Sequence, residues 1–215
     1  MPREVRCALS LELPPPKPSV GTSVFEALAG RRTDREISDR PLQLQQLSNL
    51  LWSACGVNRG HGPIGGVGLT AASASNSQEI EVYVALPEGT YVFEPRGHRL
   101  RPVTAEDVRA LCISHGQQRM VSMKAPLQLI YVVDVDRFSH TRGFQEPGLH
   151  DPDIQKSYYF VDTGLIAGNV YLFAASEGLA AWFHNCDKAA LAKKLNLRPA
   201  QHALFAQSVG YREHE

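Results

Sequence analysis

The stretch GRRTDRE at residues 30–36 sets Arg31, Arg32, Thr33 and Arg35 within five consecutive positions. Guanidinium forks donate in a plane, and beside a hydroxyl they suit a phosphate group and the polar edge of a ring. Cations also gather after a helix, facing the carbonyl end of its dipole, which accounts for Arg31 and Arg32 but less well for Arg35. A second polar concentration, AASASNSQ at 71–78, offers the hydroxyls and amides of Ser73, Ser75, Asn76 and Gln78. By composition alone that segment is equally an ordinary turn.

Other chemistries find less support. The eight histidines are scattered, with no pair at helical spacing beside a carboxylate, so no metal site is expected. A cysteine nucleophile needs an activated, accessible thiol. Cys55 and Cys112 sit in apolar helical patterns, which leaves Cys186, beside His184, as the one thiol to consider. The glycines of GHGPIGGVG (60–68) follow a helix and precede a serine-rich loop, whereas a dinucleotide fingerprint follows a strand and opens a helix.

The elements that must position these residues read from hydrophobic period. Ser23 caps a short helix, VFEALAG, which delivers the arginines onto a loop. Leu44, Leu47, Leu50, Leu51 and Ala54 recur at helical spacing up to Gly56, and a long loop follows. Residues 80–86 alternate as a strand, PEG turns the chain, and TYVFE runs back. RPVTAEDVRALC predicts a helix capped at Thr104, and LQLIYVVDV (127–135) a strand buried on both faces. Residues 138–157 read as a polar loop and 158–177 as a long helix closed by Gly178. A short strand AAWFHN, a helix capped by Asp187 and a last strand ALFAQSVGYR follow. Without a strict strand–helix repeat the class is α+β.

Composition sets the outer bounds. The chain has 215 residues, with lysine plus arginine and aspartate plus glutamate balanced at 22 each, so no global field favours nucleic acid or an anionic membrane. The apolar stretch 160–175 is too short to span a bilayer. The charged, proline-bearing N-terminus does not resemble a signal peptide, and the four unpatterned cysteines suggest reduced thiols, so a cytoplasmic location is expected. Residues 1–21 are expected to be an extended, proline-rich arm that contributes no core element, and 22–215 a single domain.

The segment RRTDREISDRPLQLQQLSNLLWSACGVNR (31–59) resembles the opening of the nitroreductase-like FMN-dependent family. AASASNSQEIEVYV (71–84) is similar to its second phrase, with Ala72 where the family has proline. Residues 162–197 resemble its central helix, flavin-reaching strand and capped helix. The leading LELPPPKP is most like the branch of thiazole- and oxazole-forming peptide dehydrogenases.

That resemblance implies a nitroreductase-like fold, with a central mixed or antiparallel sheet flanked by helices and a long helix at a homodimer interface. It implies FMN as cofactor, with Arg31, Arg32 and Thr33 at the phosphate and ribityl end and Arg35 at the pyrimidine edge. Asn76 would meet the ring's N3/O4 edge, with Ser73, Ser75 and Gln78 on the same loop. Phe183, His184 or Asn185 would meet flavin N5. Arg212 is the single candidate for the family's late basic pair. The implied reaction passes hydride from NAD(P)H through flavin to a small-molecule acceptor such as a nitroaromatic or quinone, in ping-pong order, with no protein acid or base assigned. Two alternatives stay open: an azoline-oxidising peptide dehydrogenase, for which Lys156, Tyr158 and Tyr159 are suggestive, and a non-catalytic flavin-binding protein. The loops 60–68 and 138–157 would shape or cover the pocket.

Overall fold

A computed structural model describes residues 10–18, 21–62, 65–114, 125–141 and 150–214. Cys7, two residues of the glycine-rich segment (63–64) and the centre of the 138–157 loop (142–149) lie outside the described residues.

In chain order the strands are β1 (Leu11–Glu12), β2 (Val57–Arg59), β3 (Gly68–Leu69), β4 (Ile80–Leu86), β5 (Gly89–Glu94), β6 (Arg99–Thr104), β7 (Leu127–Asp134), β8 (Ala180–His184) and β9 (Gln201–Gly210). The α-helices are α1 (Val24–Gly30), α2 (Leu44–Cys55), α3 (Val135–Ser139), α4 (Pro152–Ser176) and α5 (Lys188–Lys194). Seven strands make one sheet in the order β1-β6-β5-β4-β7-β9-β8, and β2 pairs with β3 in a small ribbon. Every paired neighbour is antiparallel.

Strand β7 is central because all eight of its residues are buried, as its unbroken apolar run requires. Successive side chains go to opposite faces. Leu129, Tyr131 and Val133 join a core with Leu50 and Leu51 of α2 and Val170 of α4. Ile130 and Val132 join a second with Leu191 of α5 and Ala206. Truncating such a residue to alanine costs about 2–5 kcal/mol, so both faces of β7 hold the layers together.

Helix α1 starts where predicted. The Ser23 N–H donates to Glu26 Oε2 at 2.9 Å and the Glu26 N–H to Ser23 Oγ at 3.3 Å, a reciprocal cap. It stops at Arg31, whose backbone is extended (φ −61°, ψ 121°).

Three sequence readings need correction. Within RPVTAEDVRALC, residues 101–104 end strand β6, and where a helix capped at Thr104 was expected there is a bend followed by a short 3-10 turn, Arg109–Cys112. The Thr104 hydroxyl accepts from the Glu106 N–H at 3.2 Å, closing a turn rather than opening a helix, and pairing with β5 settles the strand. The arm does enter the core: β1 covers the outer edge of β6, and Leu13 is buried with Leu100. Its carbonyls at Pro14 and Pro15 accept from Ser48 and Gln45 of α2, at 2.5 and 2.9 Å. The polar loop is shorter than read, because α3 occupies its start and α4 begins at Pro152. There the Asp151 carboxylate accepts from the Asp153 and Ile154 N–H groups at 2.8 and 3.3 Å, and Pro152 supplies a helical φ.

Among the described residues no helix is long and apolar enough to cross a membrane. Among the described residues, two helices carry several exposed large apolar side chains: Val24, Phe25 and Leu28 on α1, and Ile154, Tyr158, Val161 and Leu165 along α4. The second set recurs at spacings of four, three and four, which makes one continuous stripe.

Candidate functional site

The arginine loop leaves α1 and runs beside β8. The Asp34 N–H donates to the Ala181 carbonyl at 2.9 Å, and Ile37 bridges to Arg212. Tyr171 of α4 anchors the far side. Its hydroxyl accepts from the Phe183 N–H at 2.8 Å and lies 3.2 Å from Thr33 Oγ1. The Arg31 guanidinium sits 5.6 Å from the Tyr171 ring centre and that of Arg35 5.5 Å from Trp182. Asp34 receives Arg32 and Arg212, both at 3.5 Å. Among the described residues neither Arg31 nor Arg35 has a carboxylate partner. Exposed, uncompensated guanidinium groups, a threonine hydroxyl and two aromatic faces therefore converge, the donor set an anionic group joined to a flat ring requires.

The Ser73–Gln78 loop forms a second cluster. A 3-10 turn covers Ala74–Asn76, and Ser75, Asn76 and Gln78 all have positive φ (50°, 55° and 52°). Such residues cost about 1–3 kcal/mol each and persist only where the surroundings over-determine them. Here the determinants are visible. The Asn76 amide donates to the Gly65 and Val67 carbonyls, both at 3.2 Å. The Gln78 amide donates to Val67 at 2.8 Å and to Asn76 Oδ1 at 3.0 Å, and the Gln78 N–H donates to Ser73 Oγ at 3.0 Å. Gly62 lies inside the same knot, its position for a Cβ 2.8 Å from the Asn76 amide nitrogen.

Beneath this loop lie two buried carboxyls. Asp162 of α4 accepts from the Ala74 N–H at 2.9 Å, and Glu79 bonds to the Ser77 hydroxyl. Burial pushes Glu79 up to about 8, with the neighbouring Asp162 adding to the shift, and raises Asp162 as well. The pair therefore holds a proton at neutral pH, which ties the loop to the helix.

The Phe183–Asn185 segment divides. Phe183 packs on Tyr131 and Phe205. His184 turns the other way, buried, with Nε2 2.8 Å from Ser208 Oγ, whose hydroxyl donates to Gln128 at 2.8 Å. Burial lowers His184 to about 4, so it is neutral at pH 7. Asn185 is exposed, and its carbonyl accepts from the Ser114 N–H at 3.2 Å. Cys186 is not activated: it is buried, its thiol is pushed up to about 11, and His184 is committed to Ser208. Cys55 is likewise pushed up to about 12 by burial. Lys156, Tyr158 and Tyr159 lie on the first turns of α4.

The structure thus gathers Arg31, Arg32, Thr33, Arg35, Phe183 and Arg212 at one place and Ser73, Ser75, Asn76 and Gln78 at another. Sequence reasoning missed Tyr171, Asp162 and Glu79. The signal for Tyr171 and Asp162 was present, as a hydroxyl and a carboxylate within the mainly apolar stretch 160–175.

Against known proteins, the sequence model of the nitroreductase family matches residues 28–211. A nitroreductase-family protein of Methanocaldococcus jannaschii is 30% identical over 161 residues, covering 72% of this chain and 74% of its own. A nitroreductase-family crystal structure from Ralstonia eutropha superposes with a TM-score of 0.83 at 32% identity, over 98% of this chain and 92% of that one. Two structures at 17% identity share the fold. The Escherichia coli microcin synthetase complex McbBCD has a TM-score of 0.66 over 90% and 76% of the two chains. The NADPH:FMN oxidoreductase of Vibrio harveyi, complexed with NAD+, has a TM-score of 0.61 over 89% and 69%.

Proposed function

Because this chain belongs to the nitroreductase family, we propose that it is an FMN-dependent oxidoreductase that transfers hydride from NAD(P)H to a small oxidised acceptor. The observation that carries the reading is the set of uncompensated cations, Arg31 and Arg35, held beside Thr33, Tyr171 and Trp182. When bound, FMN would supply the atom that takes up and gives back hydride.

The residues have separate tasks. Arg31 and Thr33, with Arg32 and Arg212 sharing the Asp34 carboxylate nearby, would hold the phosphate and ribityl end. Arg35 would lie along the pyrimidine edge, where a cation stabilises the reduced ring's negative charge. Asn76 and Gln78, whose side-chain amides fix the conformation of their loop before binding, would set that loop against the opposite ring edge, with Ser73 and Ser75 beside them. Tyr171 would hold the β8 segment in place through the Phe183 N–H. His184, facing Ser208, would contribute through its backbone.

We infer a homodimer with the cofactor between protomers. Asp162 and Tyr171, which anchor the two clusters, are nine residues apart on α4, about two and a half turns and about 13.5 Å. The exposed stripe Ile154, Tyr158, Val161 and Leu165 lies on the same helix. A second copy laid on that stripe would bring the arginine loop of one protomer to the asparagine loop of the other. The free, buried thiols of Cys55, Cys112 and Cys186 agree with a reducing compartment such as the cytoplasm.

Titrating the protein with FMN while following flavin fluorescence tests the cofactor. Saturable quenching that Arg31→Ala weakens at least tenfold supports the reading; no quenching contradicts it.

A further inference from the structure

The main sheet is split at one point. Strands β4 and β5 pair from Leu86↔Gly89 to Tyr83↔Val92 and then part. Beyond that point each pairs only outward, β4 with β7 as far as Ile80↔Val133 and β5 with β6 as far as Glu94↔Arg99. Antiparallel neighbours with two free partners would ordinarily continue their ladder, so the gap is a built feature of this fold.

A cavity of about 420 Å³ occupies the split, inside the range of small-ligand sites, roughly 300–1,000 Å³. Its inner wall is apolar, formed by Leu69, Ile80, Val82 and Phe93. Its mouth is cationic, with Arg96, Arg99, Arg101 and Arg137 against only Glu81 and Glu94.

The pairing of these charges leaves cationic surplus. Arg137 is committed to Glu81 and to Asp134. Arg99 and Arg101 share one carboxylate, Glu94, each through Nε, at 2.7 and 2.8 Å. Among the described residues Arg96 has no carboxylate partner, and its Nη2 lies 3.5 Å from where a Cβ on Gly66 would stand, so it reaches across the mouth. Apolar depth, with one guanidinium that lacks a carboxylate partner and two that share a single carboxylate at the entrance, selects an anionic head on an apolar body.

We propose that the split between β4 and β5 is a binding site for a small carboxylate with an apolar body. Gln78 lines the same cavity while its amide is bound to Val67 and Asn76. It is therefore a wall between this site and the Ser73–Gln78 loop, and an occupant would press on that loop from behind. The proposal does not depend on flavin binding.

Calorimetric titration with octanoate tests it, with octanol as the uncharged counterpart and Arg96→Gln/Arg101→Gln as the variant. Both substituted arginines are exposed, and a thermal melt checks that the fold is kept. The expected result is one octanoate site per chain, binding weakened tenfold or more in the variant (about 1.4 kcal/mol), and weaker binding of octanol than of octanoate. No octanoate binding overturns the proposal, as does equal affinity for octanol or an unchanged affinity in the variant. Loss of octanoate binding after saturation with FMN, followed by its own absorbance, also overturns it, because the cavity would then belong to the flavin site.

Discussion

Asp162 and Tyr171 share helix α4 but serve opposite sides of it: Asp162 holds the Ala74 N–H at 2.9 Å, and Tyr171 holds that of Phe183 at 2.8 Å. Each candidate half-site therefore has its own anchor. The exposed stripe Ile154, Tyr158, Val161 and Leu165 on the same helix is where the proposed second copy would lie.

A mixing experiment follows from that geometry. Arg35→Ala and Asn76→Asp should each abolish FMN-dependent activity alone, yet co-refolded at equal amounts they should recover roughly a quarter of the wild-type sites, because half the dimers carry one intact site. Activity no greater than that of either variant would place both loops on one protomer's site. Val161→Arg/Leu165→Arg, which puts charge on the stripe, should give a monomer by light scattering and lose flavin affinity with it.

Tyr171→Phe removes the hydroxyl that satisfies the Phe183 N–H and leaves the ring beside Arg31. The expected cost is about 1–2 kcal/mol in stability, read as a lower denaturant midpoint. Flavin affinity should fall along with it, since β8 and Thr33 lose their common tether. A Tyr171→Phe protein with unchanged midpoint and affinity would show that the ring alone suffices.

Glu79 makes stability depend on pH. Its folded value, about 8, exceeds the ordinary 4.5 for a glutamate, so the native state holds a proton that the unfolded chain has released between those limits. Stability should therefore be greatest below about 4.5 as far as this group is concerned, and should fall as pH rises toward 8. His184 acts in the opposite sense: its value is depressed from 6.5 to about 4, so its contribution is full above 6.5 and is lost as pH falls toward 4. From pH 6.5 to 8 the decline belongs to the Glu79–Asp162 pair, since His184 is already neutral in both states. Urea midpoints over that window should fall with pH in the natural protein and flatten in Glu79→Gln; an equal slope in both would assign the dependence elsewhere.

Much of the scaffold was legible because it follows from local pattern. Strand β7 announces itself by an apolar run, α2 by leucines at helical spacing, and α1 by Ser23 with Glu26 three residues on. What was not legible depends on partners distant in sequence. Residues 99–104 carry no period that separates a strand from a helix start, and pairing with β5 decides. Leu13 becomes core only because β1 finds the edge of β6. The start of α4 at Asp151–Pro152 was readable as a capping dipeptide, but the polar residues after it hid the helical face. At the candidate site the arginines and amides stand out by type. The carboxyl pair and Tyr171 do not, since their meaning comes from burial and from contacts 83 and 138 residues away, Glu79 to Asp162 and Tyr171 to Thr33.

We propose that this chain uses bound flavin to move hydride. It is tested most directly by the absorbance spectrum of the FMN-loaded protein, recorded without oxygen before and after NADH or NADPH. Bleaching of the flavin bands by at least one nicotinamide, reversed by a nitroaromatic or a quinone, is the result expected. Flavin bands that persist with both donors, in protein that has bound FMN, would contradict the account.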